Sequence, residues 1–503
     1  MKYFLGIDIG TTHTKAVIIN HNGQLLFESK KGYDLLHPQP GYEEQDPVLI
    51  MDAVATVIKK ALLAVPSGDE LAAISFSAAM HSLIPVDSTG KPIYNAIIWA
   101  DTRSQKEAEE IGSHPDADKI IQATGIPIHP MSPLCKIVWF KKRMPEVFKK
   151  TCRFISIKEY VFFCLFGKYI VDFSVASATG LFNVKQRKWD ALALKLVGID
   201  EGKLSFPVST LHAEMELLPE YSKLFNIQKE IPFIIGSSDG CLANLGSGAV
   251  QEGETALTIG TSGAVRMTVN NGMDLAVKNK LFLYPLTDDL YVSGGAINNG
   301  GIVLQWLSEF FSNEEEPGED IYNELLSLAE KINPGADGLF FLPYLLGERA
   351  PIWDANAKGV LVGLTLKHKK GHVVRAALEG VSYTLAQLVN KLEKTYSPIK
   401  SINVSGGFVQ SSFWVQLIAN VTGKKINVTE LADASAMGAA YLGMFGTGHL
   451  KDLSAVKEFV KITRVFEPDP AAHENYVQLS VFFDSLYPRL KDDFAILSRL
   501  QEK

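Results

Sequence analysis

Residues 3–15 read YFLGIDIGTTHTK, an apolar run that ends in a turn of glycine and threonine. Asn22 and Gly23, a little further on, tolerate the positive φ angles of a two-residue hairpin turn. This pattern predicts three antiparallel strands at the start of the chain, over Tyr3–Ile9, Lys15–Ile19 and Gln24–Ser29. The first turn of this unit, with its glycine and threonines, is the feature on which the functional prediction rests.

A related stretch, TALTIGTSGAVRMTV, occupies residues 255–269 and keeps the Ile-Gly-Thr core. We predict a strand over Thr255–Ile259, a turn over Gly260–Gly263 and a returning strand over Ala264–Val269. Two copies half a chain apart indicate two domains of one design rather than a short-period repeat. A chain of 503 residues is also too long for one hydrophobic core. The glycines between residues 246 and 253 place the boundary there, which predicts domains over residues 1–245 and 246–503.

Composition excludes several classes of protein. A net charge of −7 offers no basic excess for neutralising nucleic-acid phosphates. No run of about 20 apolar residues occurs, so we expect no membrane span. Asp8 interrupts the apolar run that a signal peptide would need. The four cysteines lack CxxC spacing and are expected to be reduced thiols. The prediction is a cytoplasmic protein that binds a small molecule, with no nucleic-acid or membrane partner.

The first turn carries the residue types of a phosphate-binding loop. Glycine lets the backbone approach a phosphate, and successive N–H groups form a cradle for an anion. Asp8, at the end of the preceding strand, could hold Mg²⁺, which takes few carboxylates and keeps its waters. A tight hairpin with a polar tip is the alternative. The second copy, at Gly260–Gly263, favours phosphate binding because two such loops can hold one polyphosphate.

Asp239 lies in a turn of small residues, Gly236–Gly240, after the apolar run Ile231–Ile235. A carboxylate at the end of a buried strand, near a domain boundary, is a candidate general base for phosphoryl transfer. An ordinary turn aspartate or a helix N-cap is the alternative. The residues around Asp239 do not decide between them.

Two further segments could form a wall for a substrate. Met80 and His81 end one apolar strand, and Trp99, Asp101 and Arg103 follow another. Trp99 could stack on a sugar, and the polar side chains could bind hydroxyl groups. The alternative is core packing of Met80 and Trp99 beside a surface Asp101–Arg103 ion pair. The residues alone leave both open.

The second half of the chain has strong helix signals. Apolar residues recur every three or four positions over His372–Tyr396, and a second helix is predicted over Phe413–Val421. That second helix follows a Gly-Gly turn at 406–407, which could admit a nucleobase or could be a plain strand-to-helix turn. The acidic stretch Asn313–Asp320 is predicted to be a solvated loop.

These features together resemble the FGGY family of carbohydrate kinases over nearly the whole chain. One family signature is similar to MSPLCKIVWF at residues 131–140, with a departure at Arg143, where members carry an amide, acid or histidine. The other is complete, with GVLVGL at 359–364, His372-Val373 and Ala376–Glu379. The resemblance implies an α/β fold of two actin-like, ribonuclease-H-like domains, with mixed sheets flanked by helices and the active site in the cleft between them.

The resemblance also implies ATP and Mg²⁺ as cofactors and assigns residues to roles. Asp239 is the expected catalytic base, and Asp8 and Asp239 are the expected metal ligands. Phosphate and nucleotide contacts are expected from Thr11, Thr12, His13, Lys15, Gly260, Thr261, Gly301, Gln305, Gly407 and Ser411. Substrate contacts are expected from Met80, His81, Trp99, Asp101 and Asp239. Dimers are common in the family, so a homodimer is compatible with the resemblance.

The substrate expectation comes from finer similarities. Met80-His81 corresponds to the pair found in xylulose kinases, where glycerol kinases have Arg-Glu. The segments at residues 79–84 and 128–134 resemble the members that phosphorylate D-gluconate to 6-phospho-D-gluconate. An ionised gluconate needs a cation, for which the candidates are His81, Arg103, Lys136 and Lys158. A kinase for xylulose or another pentulose, and an actin-like ATPase switch without a small-molecule acceptor, are the alternatives.

Overall fold

The structure is a computed structural model, and it describes residues 1–227, 229–270, 272–312, 318–430 and 433–501. Its strands, in chain order, are β1 Lys2–Ile9, β2 His13–Asn20, β3 Leu25–Gly32, β4 Glu44–Gln45, β5 Glu70–Ala78, β6 Ile84–Val86, β7 Ala96–Ile97, β8 Arg153–Ile155, β9 Ile170–Asp172, β10 Phe182–Asn183, β11 Lys188–Trp189, β12 Phe206–Val208, β13 Ala213–Glu214, β14 Phe233–Ser238, β15 Glu254–Ile259, β16 Gly263–Val269, β17 Phe282–Pro285, β18 Tyr291–Ile297, β19 Phe340–Pro343, β20 Gly359–Val362, β21 Ser401–Ser405, β22 Lys425–Thr429 and β23 Ile462–Phe466.

The helices, in chain order, are α1 Pro47–Ala64, α2 Gln105–Gly112, α3 Ala117–Thr124, α4 Pro133–Arg143, α5 Pro145–Lys150, α6 Ile157–Phe166, α7 Phe173–Ser177, α8 Ala191–Val197, α9 Pro219–Phe225, α10 Asp239–Gly246, α11 Met273–Lys278, α12 Ile302–Ser312, α13 Glu319–Glu330, α14 Lys370–Thr395, α15 Ser412–Thr422, α16 Ala434–Gly446 and α17 Pro470–Gln501. Among the described residues, no helix is long and apolar enough to cross a membrane.

The predicted strands and helices of both halves are confirmed to within a few residues. The opening hairpins are β1, β2 and β3, and the second copy is β15 and β16. The two predicted helices are α14 and α15. Residues 313–317 of the predicted acidic loop lie outside the described residues, and α13 already begins at Glu319, so the predicted loop extends too far.

The chain divides into two compact units that are not continuous in sequence. The first consists of Met1–Val250, Thr268–Ser293 and Leu431–Val460, and the second of Gln251–Met267, Gly294–Glu430 and Lys461–Lys503. A segment from the last quarter of the chain, which includes α16, therefore belongs to the first unit. The domain division at residues 245 and 246 stays a prediction.

The first unit is built on a mixed sheet with the strand order β13-β14-β5-β1-β2-β3. β1, β2 and β3 are antiparallel to one another, while β5 is parallel to both β1 and β14. β1 is buried from Tyr3 to Ile9, so its side chains alternate between two covered faces. Its last polar residue, Asp8, is thereby placed at the end of a central strand beside β5.

The second unit repeats this design. Six neighbouring strands of its seven-stranded sheet have the order β18-β16-β15-β21-β22-β23. β15 and β16 form an antiparallel hairpin, and β15, β21 and β22 run parallel. α14 is buried along most of its 26 residues, in agreement with the predicted apolar spacing. The turns after β15 and after β21 therefore come out at the same end of neighbouring parallel strands.

Helices α10 and α16 of the first unit meet at their backbones. A Cβ atom added to Gly438 would lie 1.9 Å from the carbonyl oxygen of Leu242, and one added to Gly246 would lie 1.9 Å from that of Ala434. α16 also lies directly on β1, because a Cβ at Gly6 would be 2.0 Å from the carbonyl oxygen of Ala436. Glycine at these positions is required by the close approach of backbones.

We expect Gly438→Ala to lower the stability of the protein, because the added methyl group meets a backbone carbonyl that cannot move aside. Forcing extra atoms into a packed interior costs typically about 1–3 kcal/mol. Thermal unfolding measures the effect. The control is Gly112→Ala at the end of α2, where an added Cβ meets no atom within 4 Å. If the Gly438→Ala protein unfolds at the temperature of the control, the close contact between the helices is not required.

Candidate active site

Asp8 lies at the end of β1, where the hydroxyl of Ser77 at the end of β5 donates a hydrogen bond to its Oδ1 at 2.6 Å. Burial raises the pKa of Asp8 to about 8, and the negative charges of Asp433 and Asp239 add to the shift. The hydrogen bond from Ser77 and the charge of Lys15 oppose it. A buried carboxylate among like charges is a position that a cation would stabilise.

Asp433 is a site residue that was not among those predicted. It is the N-cap of α16, where its Oδ1 accepts the N–H of Ala436 at 3.0 Å. Its Oδ2 lies 2.6 Å from the Nζ of Lys15. The signal in the sequence is an aspartate before a helix of alanine and glycine, which resembles the Ser238-Asp239-Gly240 turn. Lys15, predicted as a phosphate contact, is thus partly neutralised by Asp433.

Asp239 is the first residue of α10 and is partly exposed. Its Oδ1 accepts the N–H of Gly240 at 2.7 Å, and its carbonyl oxygen lies 3.3 Å from the hydroxyl of Ser435 in α16. The turn before it needs glycine, since Gly236 has a φ of +74°. The N-cap of α10 is Ser238, so the alternative of an N-cap role for Asp239 is wrong, although Asp239 does begin the helix.

The loop between β1 and β2 is fixed from several sides. The Nε1 of Trp99 donates to the hydroxyl of Thr11 at 3.0 Å, and the side chain of Gln45 donates to the carbonyl oxygen of Thr11. The hydroxyl of Thr12 is exposed and lies 2.8 Å from the Nδ1 of His13. The structure therefore joins Trp99, predicted for the substrate, to the predicted phosphate loop.

Met80 and His81 follow β5 directly, one strand away from Asp8. Met80 is half-buried. The ring of His81 is buried, with Nδ1 2.7 Å from the carbonyl oxygen of Ala178. The backbone of His81 has a φ of +67°, which is uncommon for a residue with a side chain. Its carbonyl oxygen accepts a hydrogen bond from Lys136 at 2.6 Å. Burial lowers the pKa of Lys136 to about 7, and the charge of Asp101 opposes that shift.

Asp101 and Arg103 form a buried ion pair, so the alternative of a surface pair is wrong. Both side chains have no exposed area, and Arg103 also bonds the buried carboxylate of Glu44 at 2.8 Å. The guanidinium lies 3.9 Å above the ring of Tyr42. Both carboxylate oxygens of Asp101 accept hydrogen bonds, from Arg103 and from the N–H of Glu43. The carboxylate of Asp101 is thus already hydrogen-bonded inside the protein. Its contact with a substrate stays a prediction.

The candidate cations for a substrate carboxylate are mostly engaged inside the first unit. Lys158 is 1% exposed and bonds Asp172 and the carbonyl oxygen of Ser237, each at 2.8 Å. Lys136 and Arg103 are equally enclosed. Of the four candidates, His81 and Arg103 belong to the predicted wall, and the Arg103 guanidinium is already paired with Asp101 and Glu44.

The predicted nucleotide residues of the second unit line one cavity of about 940 Å³, a size typical of small-molecule sites. They are Gly260, Thr261, Gly301, Gln305, Gly407 and Ser411. The loop between β15 and β16 is bonded to the residue before α12, because the N–H of Gly301 donates to the carbonyl oxygen of Gly260 at 2.7 Å. Ser411 caps α15, and its hydroxyl accepts the N–H of Trp414 at 3.2 Å.

Lining residues that were not predicted add apolar and aromatic surface to this cavity. They include Leu304, Tyr322, Phe408, Phe413 and Trp414. Flat rings beside two glycine turns suit a nucleobase and ribose, with the Gly-Thr loop nearer the phosphates. These residues come from α12, α13, the turn after β21 and α15, so no single local pattern in the sequence groups them.

The N-terminal domain of the FGGY family of carbohydrate kinases matches residues 3–246, and its C-terminal domain matches residues 255–447. The chain belongs to the FGGY family of carbohydrate kinases. It is 40% identical to the gluconokinase of Bacillus subtilis (strain 168), over 99% of this chain and 98% of that protein.

Two solved structures resemble this FGGY kinase closely. The gluconate kinase from Lactobacillus acidophilus has a TM-score of 0.92 and 35% identity, over 99% of each chain. The ligand-bound xylulose kinase from the same organism has a TM-score of 0.92 and 34% identity, over 99% of this chain and all of that one. The predicted class of two actin-like, ribonuclease-H-like domains is confirmed.

We expect Arg103→Met to destabilise this FGGY kinase, because it leaves the carboxylates of Asp101 and Glu44 buried without their cation. Breaking a buried ion pair by removing one partner costs about 3–5 kcal/mol. Thermal unfolding measures the loss. The control is Arg187→Met, since Arg187 is 42% exposed and its Nη1 lies 3.9 Å from the Oδ1 of Asp288. A melting temperature close to that of the control would mean that Arg103 does not hold this network together.

Proposed function

We propose that this FGGY kinase transfers the γ-phosphate of ATP to the 6-hydroxyl of D-gluconate, giving 6-phospho-D-gluconate. The observation that carries the reaction type is the division of the site residues into two sets. Six predicted nucleotide residues line one cavity of the second unit, and Asp8, Lys15 and Asp239 gather in the first. The choice of gluconate rests on the 40% identity to a gluconokinase over the whole chain.

Asp239 is the residue to which we assign the proton of the attacking hydroxyl. Phosphoryl transfer needs an oriented acceptor, neutralised phosphate charge and a base within hydrogen-bond reach. The N–H of Gly240 holds one oxygen of this carboxylate, which fixes its direction at the start of α10. Its partial exposure gives a substrate access that the buried Asp8 lacks.

We assign phosphate contacts to residues of the two related loops, each within its own unit. They are Thr11, Thr12 and the ammonium of Lys15 in the first unit, and Gly260 and Thr261 in the second. Asp8 and Asp239 would hold Mg²⁺, which supplies charge neutralisation on the phosphates when bound. A cation would suit this position, because burial and the charges of Asp433 and Asp239 raise the pKa of Asp8. Among the described residues no group of three or more acids, histidines and cysteines is gathered for a metal, so Asp8 and Asp239 would leave most of its ligands to water and phosphate.

The wall of Met80, His81 and Trp99 would orient the sugar. The Nδ1 of His81 faces a carbonyl oxygen at 2.7 Å, so this nitrogen carries the proton. In the neutral ring the other nitrogen then accepts, which suits a sugar hydroxyl. Such a wall has no purpose in an actin-like ATPase that acts without a small-molecule acceptor. The division into domains at residue 245, a cytoplasmic location and a homodimer stay predictions.

A panel of sugars tests the substrate. We expect ADP release to depend on added sugar, with kcat/KM for gluconate at least about tenfold above that for xylulose or ribulose. The product with gluconate should be phosphorylated at the 6-position, as checked by NMR. A preference for a pentulose would support the first alternative. ATP turnover that no sugar changes would favour the ATPase switch.

We expect Asp239→Asn to lower kcat by at least about 10²-fold, because the amide cannot accept the proton of the hydroxyl. Folding should be unchanged, since the amide oxygen can still accept the N–H of Gly240. The matched control is Asp118→Asn, an exposed aspartate on α3 of the same unit. Turnover within threefold of the control would remove Asp239 from the role of base.

A further inference from the structure

The ammonium group of Lys136 is fully buried in the first unit and bonds three backbone carbonyl oxygens. The distances from its Nζ are 2.6 Å to His81, 2.8 Å to Ile98 and 3.3 Å to Ile97. A protonated lysine has three N–H donors and no acceptor. The three carbonyls therefore satisfy the group completely, and no donor is left for a ligand.

These three carbonyls belong to the two segments that are predicted to contact the sugar. The carbonyl of His81 follows the Met80-His81 pair, and that of Ile98 directly precedes Trp99. The two segments leave different strands, β5 and β7, so their separation is not fixed by one element. Close to these segments, the chain after β5 is joined to β7 by two backbone hydrogen bonds between Leu83 and Ile97.

Both segments have backbone or side-chain geometry that needs support. His81 holds a positive φ, which costs about 1–3 kcal/mol unless surrounding contacts impose it. Trp99 reaches the Thr11 hydroxyl of the phosphate loop at 3.0 Å. α4, which carries Lys136, is also linked through the backbone to the carbonyl oxygen that faces the His81 ring. The N–H of Leu134 donates to the carbonyl of Thr179 at 2.9 Å, next to Ala178, whose carbonyl faces the ring.

We propose that Lys136 is a positioning residue that joins the His81 and Trp99 segments into one sugar-binding wall. The proposal deepens the proposed function and rests on it for the identity of the ligand. Lys136 does not touch the sugar. Its ammonium group fixes the backbone position of two segments. Removing the ammonium therefore changes sugar binding and leaves the nucleotide cavity of the second unit unaffected.

The test compares Lys136→Met with a variant of similar cost in stability. Methionine keeps the length of the side chain and removes the three donors without leaving a buried charge. The control is Leu165→Ala on α6, a fully buried residue of the same unit, whose truncation costs about 2–5 kcal/mol. Lys136→Gln, which retains two N–H donors, replaces Lys136→Met if the latter does not fold.

Two readouts are taken on the full chain. Calorimetric titration measures gluconate and ADP binding separately, and hydrogen exchange measures backbone opening of residues 79–83 and 97–101. We expect gluconate binding to weaken at least about tenfold in the Lys136 variant, in line with the loss of a charged hydrogen-bond donor. ADP binding should stay within twofold of the unaltered protein. Exchange should rise in both segments, and Leu165→Ala should reproduce neither change.

The outcomes separate this proposal from the proposed function. If exchange in both segments is unchanged in the Lys136 variant, the positioning role is wrong whatever the substrate. Equal weakening by Leu165→Ala would also overturn it, because the effect would then be general destabilisation. If the unaltered protein binds ADP but not gluconate, the proposed substrate fails. The titration is then made with the pentulose that stimulates ADP release, and the expected loss is the same.

Discussion

The site depends on the backbone contact of α10 with α16. Gly246 and Gly438 allow these helices to touch without side chains between them, and Gly6 allows α16 to rest on β1. This contact places Asp239 and Asp433, at the starts of the two helices, where their negative charges raise the pKa of Asp8 at the end of β1. The three carboxylates therefore repel one another. N–H groups at the helix starts and the ammonium of Lys15 offset part of that repulsion, and a divalent cation would offset more.

The buried cations of the first unit serve its own backbone and acids. Lys136 holds carbonyl oxygens, Lys158 holds Asp172 and the strand before Asp239, and Arg103 neutralises Asp101 and Glu44. Burying each of these charges is costly, and each is stable only because its hydrogen-bonding and ionic partners are held in contact with it. Rigid surroundings of this kind fix the predicted sugar wall and the candidate base in advance, which is what positioning catalysis requires.

The parts of the structure that could be predicted are those set by nearby residues. The glycine-threonine hairpins and α14 follow from local pattern, and family motifs name six residues that the structure places around one cavity. Asp433 could not be placed at Asp8, because the two are far apart in the chain and meet only through the contact of α16 with β1. The burial of Asp101 and Arg103 was equally hidden. It depends on Glu44 and Tyr42, which come from a separate segment.

The choice between an aldonate and a pentulose turns on one carboxylate. With Nδ1 of His81 protonated toward Ala178, the neutral ring suits a hydroxyl, and only the imidazolium would suit a carboxylate. The charged groups of Arg103, Lys136 and Lys158 are already bonded to carboxylates or carbonyl oxygens inside the first unit. A gluconate carboxylate would therefore need donors other than these three cations, such as backbone N–H groups. A polar site rejects a ligand that leaves its buried donors unpaired. The direction in which the hydrogen-bond donors of the sugar site point therefore decides which sugar is accepted. That direction is set by the backbone around His81, whose carbonyl Lys136 holds.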